Sequence, residues 1–146
     1  MRGYLQYLSF DVPLAFRLLF SRRNDVVIAE PPPTTGFVVR VLCALRGTPY
    51  VAYAPDLWSE AMASVQAAGF VKRAVRSLER WVYRRARLAL SVSADITTRL
   101  EEWMPADRIA TVGNGIDTAG FTPEGDSISL DGPYLIYAGT ASEFQG

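Results

Sequence analysis

The sequence predicts an α/β protein in which short parallel strands are joined by crossover helices. Short apolar runs rich in β-branched residues alternate along the chain with longer amphipathic stretches, and proline or glycine separates most of them. This alternation is typical of parallel strands and their connecting helices. The chain has 146 residues, of which 49% are hydrophobic, so it can bury the core of one modest domain.

The first elements of the chain set this pattern. An amphipathic helix is predicted over residues 12–22, and the run at 25–30 has the length and β-branching of a buried parallel strand. Three prolines end that strand because proline has no amide hydrogen to give to a ladder, and Thr34 or Thr35 is then expected to cap a helix over 36–45. The remaining predicted elements are Gly47 as the end of that helix, a strand at 49–54, helices at 59–68 and 70–85, a strand at 88–92, a helix capped at Ser93 that ends before Pro105, and a strand at 108–112.

The carboxyl ends of these strands carry the candidate functional side chains. Asp56 and Trp58 come just after the second predicted strand, and in open α/β sheets ligands bind at that edge. After the fourth predicted strand, Gly113, Asn114 and Gly115 are expected to form a tight turn that needs a positive φ. The sequence therefore predicts a ligand site at this edge of the sheet.

A change of composition predicts a domain boundary near residue 118. Residues 119–132 are rich in Gly, Pro, Asp and Ser and lack apolar periodicity, so we expect a linker between a domain at 1–118 and the start of another at 133–146. The second of these regions opens with a predicted buried strand at 134–137. No first strand with a glycine loop precedes residue 25, and the chain stops in a loop, so we expect both ends to be cut from a longer protein.

Composition excludes several classes of function. The chain has no histidine, balances 15 basic with 15 acidic residues, and contains neither a dinucleotide-binding glycine motif nor a P-loop nor a serine-hydrolase elbow. Nucleic-acid binding, dehydrogenase, NTPase, serine-hydrolase and zinc chemistry are therefore disfavoured. The one cysteine, Cys43, lies in an apolar run and is expected to be a buried, inert thiol. Without a secretory leader or an apolar run of about 20 residues, we expect a cytoplasmic protein that does not cross the membrane.

Four loops at strand ends carry a specific resemblance. In this order and spacing they resemble the family-4 glycosyltransferases of the GT-B fold, especially the branch that builds bacterial cell-surface polysaccharides. The Asn-Gly-Ile-Asp turn is the most specific of them, and the Asp-Leu-Trp loop is the next; the match extends over nearly the whole chain from Asp25 onward. The loops are 30–36, 56–60, 112–117 with Phe121 and Pro123 downstream, and 137–139 before Gly146.

The resemblance implies two Rossmann-like domains that face each other across a cleft. The first domain would hold a saccharide or polyprenyl-linked acceptor and the second a nucleotide sugar, and transfer would retain the anomeric configuration without a metal or other cofactor. This chain would then be a partial acceptor-side domain followed by the first strand of the donor side. Because most of the donor domain is missing, we expect no turnover from the chain alone.

The resemblance also implies roles for side chains near residue 56. Asp56 would orient an acceptor hydroxyl and relieve it of its proton, although the same residue could instead cap the short helix that follows. Trp58 would stack on a sugar ring, or it could fill an edge of the core. Glu60 is a weaker candidate for substrate binding, because it also suits the solvated first turn of that helix.

Three further positions would belong to the cleft and the donor site. Asn114 and Gly115 lie where the family's chain crosses between domains, although an Asn-Gly pair is also an ordinary tight turn. Gly139 resembles the glycine that lets backbone amides approach the donor pyrophosphate. Many members place an Arg after that glycine and end the loop in Lys-Gly, whereas Thr140 and a Gln-Gly pair ending at Gly146 stand there in this chain. Two phosphate-neutralising charges are therefore absent.

The region 70–87 predicts a cationic amphipathic helix. Its basic face carries seven Lys and Arg residues with only Glu79 against them, while apolar residues form the other face. It would either hold the enzyme on anionic lipid, at about 1 kcal/mol per basic residue, or be the solvated outer face of a crossover helix. The basic residues are Lys72, Arg73, Arg76, Arg80, Arg84, Arg85 and Arg87.

Two functions of different classes follow from these observations. The first is a retaining, nucleotide-sugar-dependent glycosyltransferase, of which this chain is a fragment. The second is a non-catalytic remnant or binding module of the same fold, which would keep at most acceptor or membrane contact. A sugar-nucleotide epimerase of related fold is a third candidate, and the segment from the Asn-Gly-Ile-Asp turn to Pro123 argues against it.

Overall fold

The computed structural model of the protein describes residues 2–62, 67–120, 122, 124, 130 and 132–139, with side chains from residue 9 onward. It confirms the α/β class and the alternation of strands with helices. The elements are α1 (Arg2–Phe20), β1 (Val27–Ala29), α2 (Pro33–Arg46), β2 (Tyr50–Ala54), α3 (Trp58–Ala61), α4 (Gly69–Arg85), β3 (Leu88–Ser91), α5 (Ala94–Glu101), a 3-10 turn (Ala106–Arg108) and β4 (Ile109–Thr111).

The four strands form one parallel sheet in the order β1-β2-β3-β4. Because the strand order follows the chain order and crossovers of this kind are right-handed, the connecting helices fall on the same face of the sheet. The side chains agree with this arrangement: Tyr50, Ala52 and Ala54 on one face of β2 are buried, while Val51 and Tyr53 on the other are only half-buried. On that second face, Ile28 of the edge strand β1 is 60% exposed.

The core lies between the covered face of the sheet and helices α2, α4 and α5. Small residues of the strands leave room for large side chains of the helices, and Tyr83 packs against Trp103 with their ring centroids 5.8 Å apart. The buried hydrophobic cluster comprises Ala29, Val39, Cys43, Tyr50, Ala52, Ala54, Leu57, Val82, Tyr83, Ala86, Ala89, Leu100, Trp103 and Met104.

Two helices begin earlier than predicted. α1 starts at Arg2, ten residues before the predicted start, and continues through Pro13. α2 starts at Pro33 with Pro32 as its N-cap, so the prediction that Thr34 or Thr35 caps this helix is wrong. The physical reason lies in a tertiary contact, because the Thr35 hydroxyl donates a 2.6 Å hydrogen bond to the buried Asp11 carboxylate of α1 instead of to its own helix end.

Predictions that rest on local backbone chemistry are confirmed. Gly47 ends α2 in the left-handed conformation at φ 61°. Ser93 caps α5, and its hydroxyl accepts the amide hydrogen of Ile96 at 3.3 Å. Cys43 is a free, buried cysteine, and burial raises the pKa of its thiol.

The residues fall into two compact units, 1–113 and 114–146. In the second unit, the predicted buried strand at 134–137 is wrong, because these residues form no strand and their side chains are exposed. A strand needs a ladder partner, and the described residues of this unit provide none. The predicted linker lies largely outside the described residues, so the boundaries at 118 and 133 stay predictions.

Candidate functional site

Asp56 lies at the carboxyl end of β2, where the sequence places it. The loop 55–57 joins β2 to the short helix α3, whose N-cap is Leu57 rather than Asp56. The Asp56 side chain is exposed, and no described residue donates a hydrogen bond to it. The alternative interpretation of Asp56 as a helix cap is therefore wrong, and its carboxylate is open to solvent at the carboxyl edge of the sheet.

Glu79 of α4 caps α3 in place of Asp56. Its two carboxylate oxygens accept the backbone amide hydrogens of Trp58 at 2.7 Å and of Ser59 at 2.9 Å. These amides belong to the first turn of the helix and have no partner within it. Glu79 is only 3% exposed, so a buried carboxylate ties the loop that carries Asp56 to the packed helix α4.

Burial dominates the electrostatics around Glu79. It raises the pKa of the Glu79 carboxyl, against the hydrogen bonds from Ser59 and Trp58, which lower it, and the charge of Asp56 raises it further. Burial also raises the pKa of the Tyr83 hydroxyl, with smaller contributions from the charges of Glu79 and Asp56. The three side chains therefore form one interacting group, in which Asp56 alone is exposed to solvent.

A small cavity adjoins this group at the carboxyl ends of β1 and β2. Its volume is about 20 Å³, which is room for one water-sized group. Glu30 and the three prolines that follow β1 form one wall, Tyr53 of β2 forms another, and Glu79 and Tyr83 close it from α4. The same carboxyl edge thus brings together the predicted loop at 30–36 and the buried Glu79.

Trp58 and Glu60 occupy α3 and have structural roles there. Trp58 is half-buried, and its backbone amide binds Glu79 as described. The Glu60 carboxylate forms an ion pair with Arg99 of α5, with 3.3 Å between Arg99 Nε and Glu60 Oε1. Both side chains remain about half exposed, so Glu60 is a first-turn acid at the surface and links α3 to α5.

The other predicted site residues belong to the second unit. Asn114 and Gly115 form an extended, exposed segment, and neither Gly113, Asn114 nor Gly115 has a positive φ. The prediction of a turn with positive φ is therefore wrong. The tight turn comes slightly later, where Asp117 accepts the amide hydrogen of Ala119 at 3.0 Å. Gly139 lies in an exposed bend near the Tyr137 ring, and Thr140 and Gly146 lie outside the described residues.

The chemistry available at this edge of the sheet is that of exposed carboxylates, which accept hydrogen bonds and protons. Within the described ranges, no group of three acidic or cysteine side chains could hold a metal ion. No described helix is long and apolar enough to cross a membrane. Carboxylates accept hydrogen bonds from hydroxyl groups and can take up a proton, and two exposed carboxylates, Asp56 and Glu30, lie at this edge of the sheet.

Glu79 is the site residue that sequence reasoning missed. The sequence pattern marks it only as the single acid on a basic helix. The signal in the sequence is its position among apolar neighbours, three residues before Val82 and four before Tyr83, which lie on the buried face of α4. A lone acid on a buried helix face indicates a carboxylate with backbone or side-chain partners.

Comparison with known proteins agrees with this geometry. No curated protein matches the chain. Residues 2–115, which include every strand and helix described above, match the family model for the glycosyl transferase 4-like domain. This match covers well over half of the sequence, and the parallel sheet with crossover helices is consistent with it. The chain therefore belongs to the glycosyl transferase 4-like domain family.

Proposed function

We propose that the protein containing this chain transfers a sugar from a nucleotide-sugar donor to a saccharide or polyprenyl-linked acceptor, with retention of configuration and without a metal. Family membership supports glycosyl transfer in general. The observation that carries the proposal is the open Asp56 carboxylate at the carboxyl end of β2, which is free because Glu79 caps α3.

In the proposed reaction Asp56 acts on the acceptor. Its carboxylate accepts a hydrogen bond from the attacking hydroxyl and takes the proton as the oxygen bonds to the anomeric carbon. The bond between that carbon and the donor phosphate oxygen breaks, and the nucleotide leaves with the electron pair. Trp58, which follows Asp56 by two residues and is half-buried, would stack on a sugar ring. Asn114 and Gly115 would line the cleft, and the Gly139 loop would approach the donor pyrophosphate.

We also propose that the enzyme belongs to the branch that builds bacterial surface polysaccharides and works at the cytoplasmic face of the membrane. The basic residues of α4 support this placement, because most of them are exposed while Glu79, Val82 and Tyr83 are buried. Phe70 at the start of the helix is 72% exposed. An exposed aromatic residue next to clustered cations suits a surface of anionic lipid.

The test is sugar transfer by the protein that joins this chain to a donor-binding domain. A panel of UDP-, GDP- and ADP-sugars is offered with a polyprenyl-linked saccharide acceptor, and Asp56→Asn is compared with Asp107→Asn. Asp107 is an exposed acid in the 3-10 turn before β4, at the opposite end of the strands, so it is a matched control. We expect Asp56→Asn to lower kcat by about 10²–10⁴ without changing donor affinity, and Asp107→Asn to leave both unchanged.

The outcomes separate the two candidate functions. If no donor supports transfer by the wild type, the transferase proposal fails and a non-catalytic binding module takes its place. If a donor is used but Asp56→Asn and Asp107→Asn are equally active, the protein is still a glycosyltransferase and the proposed role of Asp56 is wrong. The anomeric configuration of the product, read by NMR, tests retention independently.

A further inference from the structure

A second concave region lies at the opposite end of the sheet from Asp56. Two adjoining grooves of about 750 Å³ and 500 Å³ open near the amino ends of β2, β3 and β4, and each is within the size range of small-molecule sites. They share Arg40 of α2, Arg85 of α4 and Arg108 of the 3-10 turn. We call the combined surface the arginine groove; its arginines are Arg40, Arg80, Arg84, Arg85, Arg87 and Arg108.

The charge of the arginine groove is not balanced from within. No acidic side chain lines either part of it. The ion pairs of Arg76 with Glu102 and of Arg99 with Glu60 include no arginine of the groove. Like charges that converge from three separate elements repel one another, and a bound anion would remove that repulsion. A solvated helix face would instead spread its charges along a single element.

Two of these arginines are held in place before any ligand binds. The Arg40 guanidinium carbon lies 3.4 Å from the centre of the Trp81 ring, and Trp81 in turn stacks on Phe37 with 5.5 Å between ring centroids. Arg108 donates a 3.4 Å hydrogen bond to the carbonyl oxygen of Ala86. Burial lowers the pKa of the Arg40 guanidinium, and the neighbouring charge of Arg85 lowers it further. The contacts of Arg40 and Arg108 already restrict these two side chains, so less side-chain entropy is lost when a ligand binds.

We propose that the arginine groove binds a phosphate-bearing anion, with Arg40, Arg85 and Arg108 as its shared donors. Planar guanidinium groups form paired, charge-assisted hydrogen bonds with phosphate oxygens, and Arg is the residue best suited to that geometry. Trp81 and Trp103 form an aromatic wall beside these donors. The phosphate comes either from the headgroup of an anionic lipid or from a soluble oligophosphate. Anion binding at this site does not depend on sugar transfer, so failure of the proposed reaction would not count against it.

The experiment titrates the chain with two probes and follows tryptophan fluorescence, with sedimentation for the lipid arm. The first probe is inorganic tripolyphosphate, and the second is vesicles of phosphatidylcholine with phosphatidylglycerol, compared with vesicles of phosphatidylcholine alone. The groove variant is Arg40→Gln/Arg85→Gln/Arg108→Gln. The control, Arg17→Gln/Arg22→Gln/Arg23→Gln, removes the same charge from exposed positions outside the groove and outside α4.

We expect the groove variant to bind at least one probe about tenfold or more weakly than wild type, because charge-assisted hydrogen bonds are lost. The control should weaken binding by less than about threefold through general charge alone. Groove-dependent binding of tripolyphosphate identifies a soluble phosphate as the ligand, and groove-dependent binding of the anionic vesicles alone identifies a lipid phosphate.

Two results would overturn the proposal. One is equal weakening in the groove variant and the control, which would show a diffuse charge effect. The other is the absence of binding to both probes. If the triple variant does not fold, the single variant Arg85→Gln replaces it, because Arg85 is exposed at the end of α4 and its loss leaves no buried group unpaired. Its matched control is Arg22→Gln, an exposed arginine outside both α4 and the groove.

Discussion

Replacing Glu79 with alanine tests whether this buried carboxylate holds the loop that presents Asp56. The change removes the acceptors of two backbone amides, at 2.7 Å from Trp58 and 2.9 Å from Ser59, and leaves a hole beside α3. An amide that loses its partner in a buried position costs about 1–3 kcal/mol. Because the loop is only partly buried and water reaches some of it, we expect Glu79→Ala to lower the free energy of unfolding by about 2–4 kcal/mol in total.

The matched control is Glu60→Ala on α3 itself. Glu60 is an exposed acid whose ion pair with Arg99 is open to solvent on both sides. Exposed pairs of this kind contribute about 0–1 kcal/mol, so the control should lose less than about 1 kcal/mol. Urea denaturation followed by far-UV circular dichroism measures both losses. Equal losses in the two variants would refute the role of Glu79 as the cap of α3.

The pH dependence of stability gives a second measure of Glu79. Burial raises the folded pKa of Glu79 above its ordinary value of 4.5, so between these two values the folded protein binds more protons than the unfolded chain. The contribution of this group to stability is therefore fully present below about pH 4.5 and is lost as the pH rises through the folded pKa. Glu79→Gln keeps the shape and one acceptor but cannot titrate.

Wild type should accordingly lose stability relative to Glu79→Gln as the pH rises from about 4.5. The measurement is the difference in unfolding free energy between the two proteins in a series of buffers at constant ionic strength. A difference that stays constant across the series, or that grows in favour of wild type, would refute the argument that burial outweighs the two amide hydrogen bonds.

Three glycines give further predictions. A Cβ at Gly36 would lie 3.0 Å from Val82 Cγ1, so Gly36→Ala should lower the free energy of unfolding by about 1 kcal/mol, net of its gain in helix propensity. This loss should disappear in a Val82→Ala background. Purely additive losses in the double-mutant cycle would contradict the contact. Gly47 has a φ of 61°, so Gly47→Ala should cost about 1–2 kcal/mol by urea denaturation. Gly113→Ala should leave the free energy of unfolding nearly unchanged, since the φ of Gly113 is not positive and a Cβ there would meet no atom within 4 Å. A larger loss of stability would instead support the predicted turn with a positive φ.

The parts of the fold that could be predicted from the sequence are those set by neighbouring residues. Strands β1 to β4 appear where short apolar runs occur, although each is shorter than predicted. Gly47 and Ser93 end and begin their helices through backbone chemistry that acts within a few residues. Asp56 stands at a strand end for the same reason, because strand length and the following helix are both local properties.

The predictions that failed depend on residues far apart in the chain. Thr35 does not cap α2 because its hydroxyl donates a hydrogen bond to Asp11, which lies 24 residues earlier in the chain. Asp56 does not cap α3 because Glu79, on a different helix, supplies both acceptors. In each case a local preference worth about 1 kcal/mol is replaced by a buried contact of comparable or greater strength.

The sequence by itself therefore determined the α/β class, the order of the elements and the edge of the sheet at which Asp56 lies, since periodicity and turn residues encode these locally. The tertiary structure decided which groups are free to act there. It assigned the capping role to Glu79 and left Asp56 open, and it gathered Arg40, Arg85 and Arg108 from three elements into one groove. Such groupings arise only when helices pack on a sheet, because packing fixes which distant side chains share a surface and which lose their access to water.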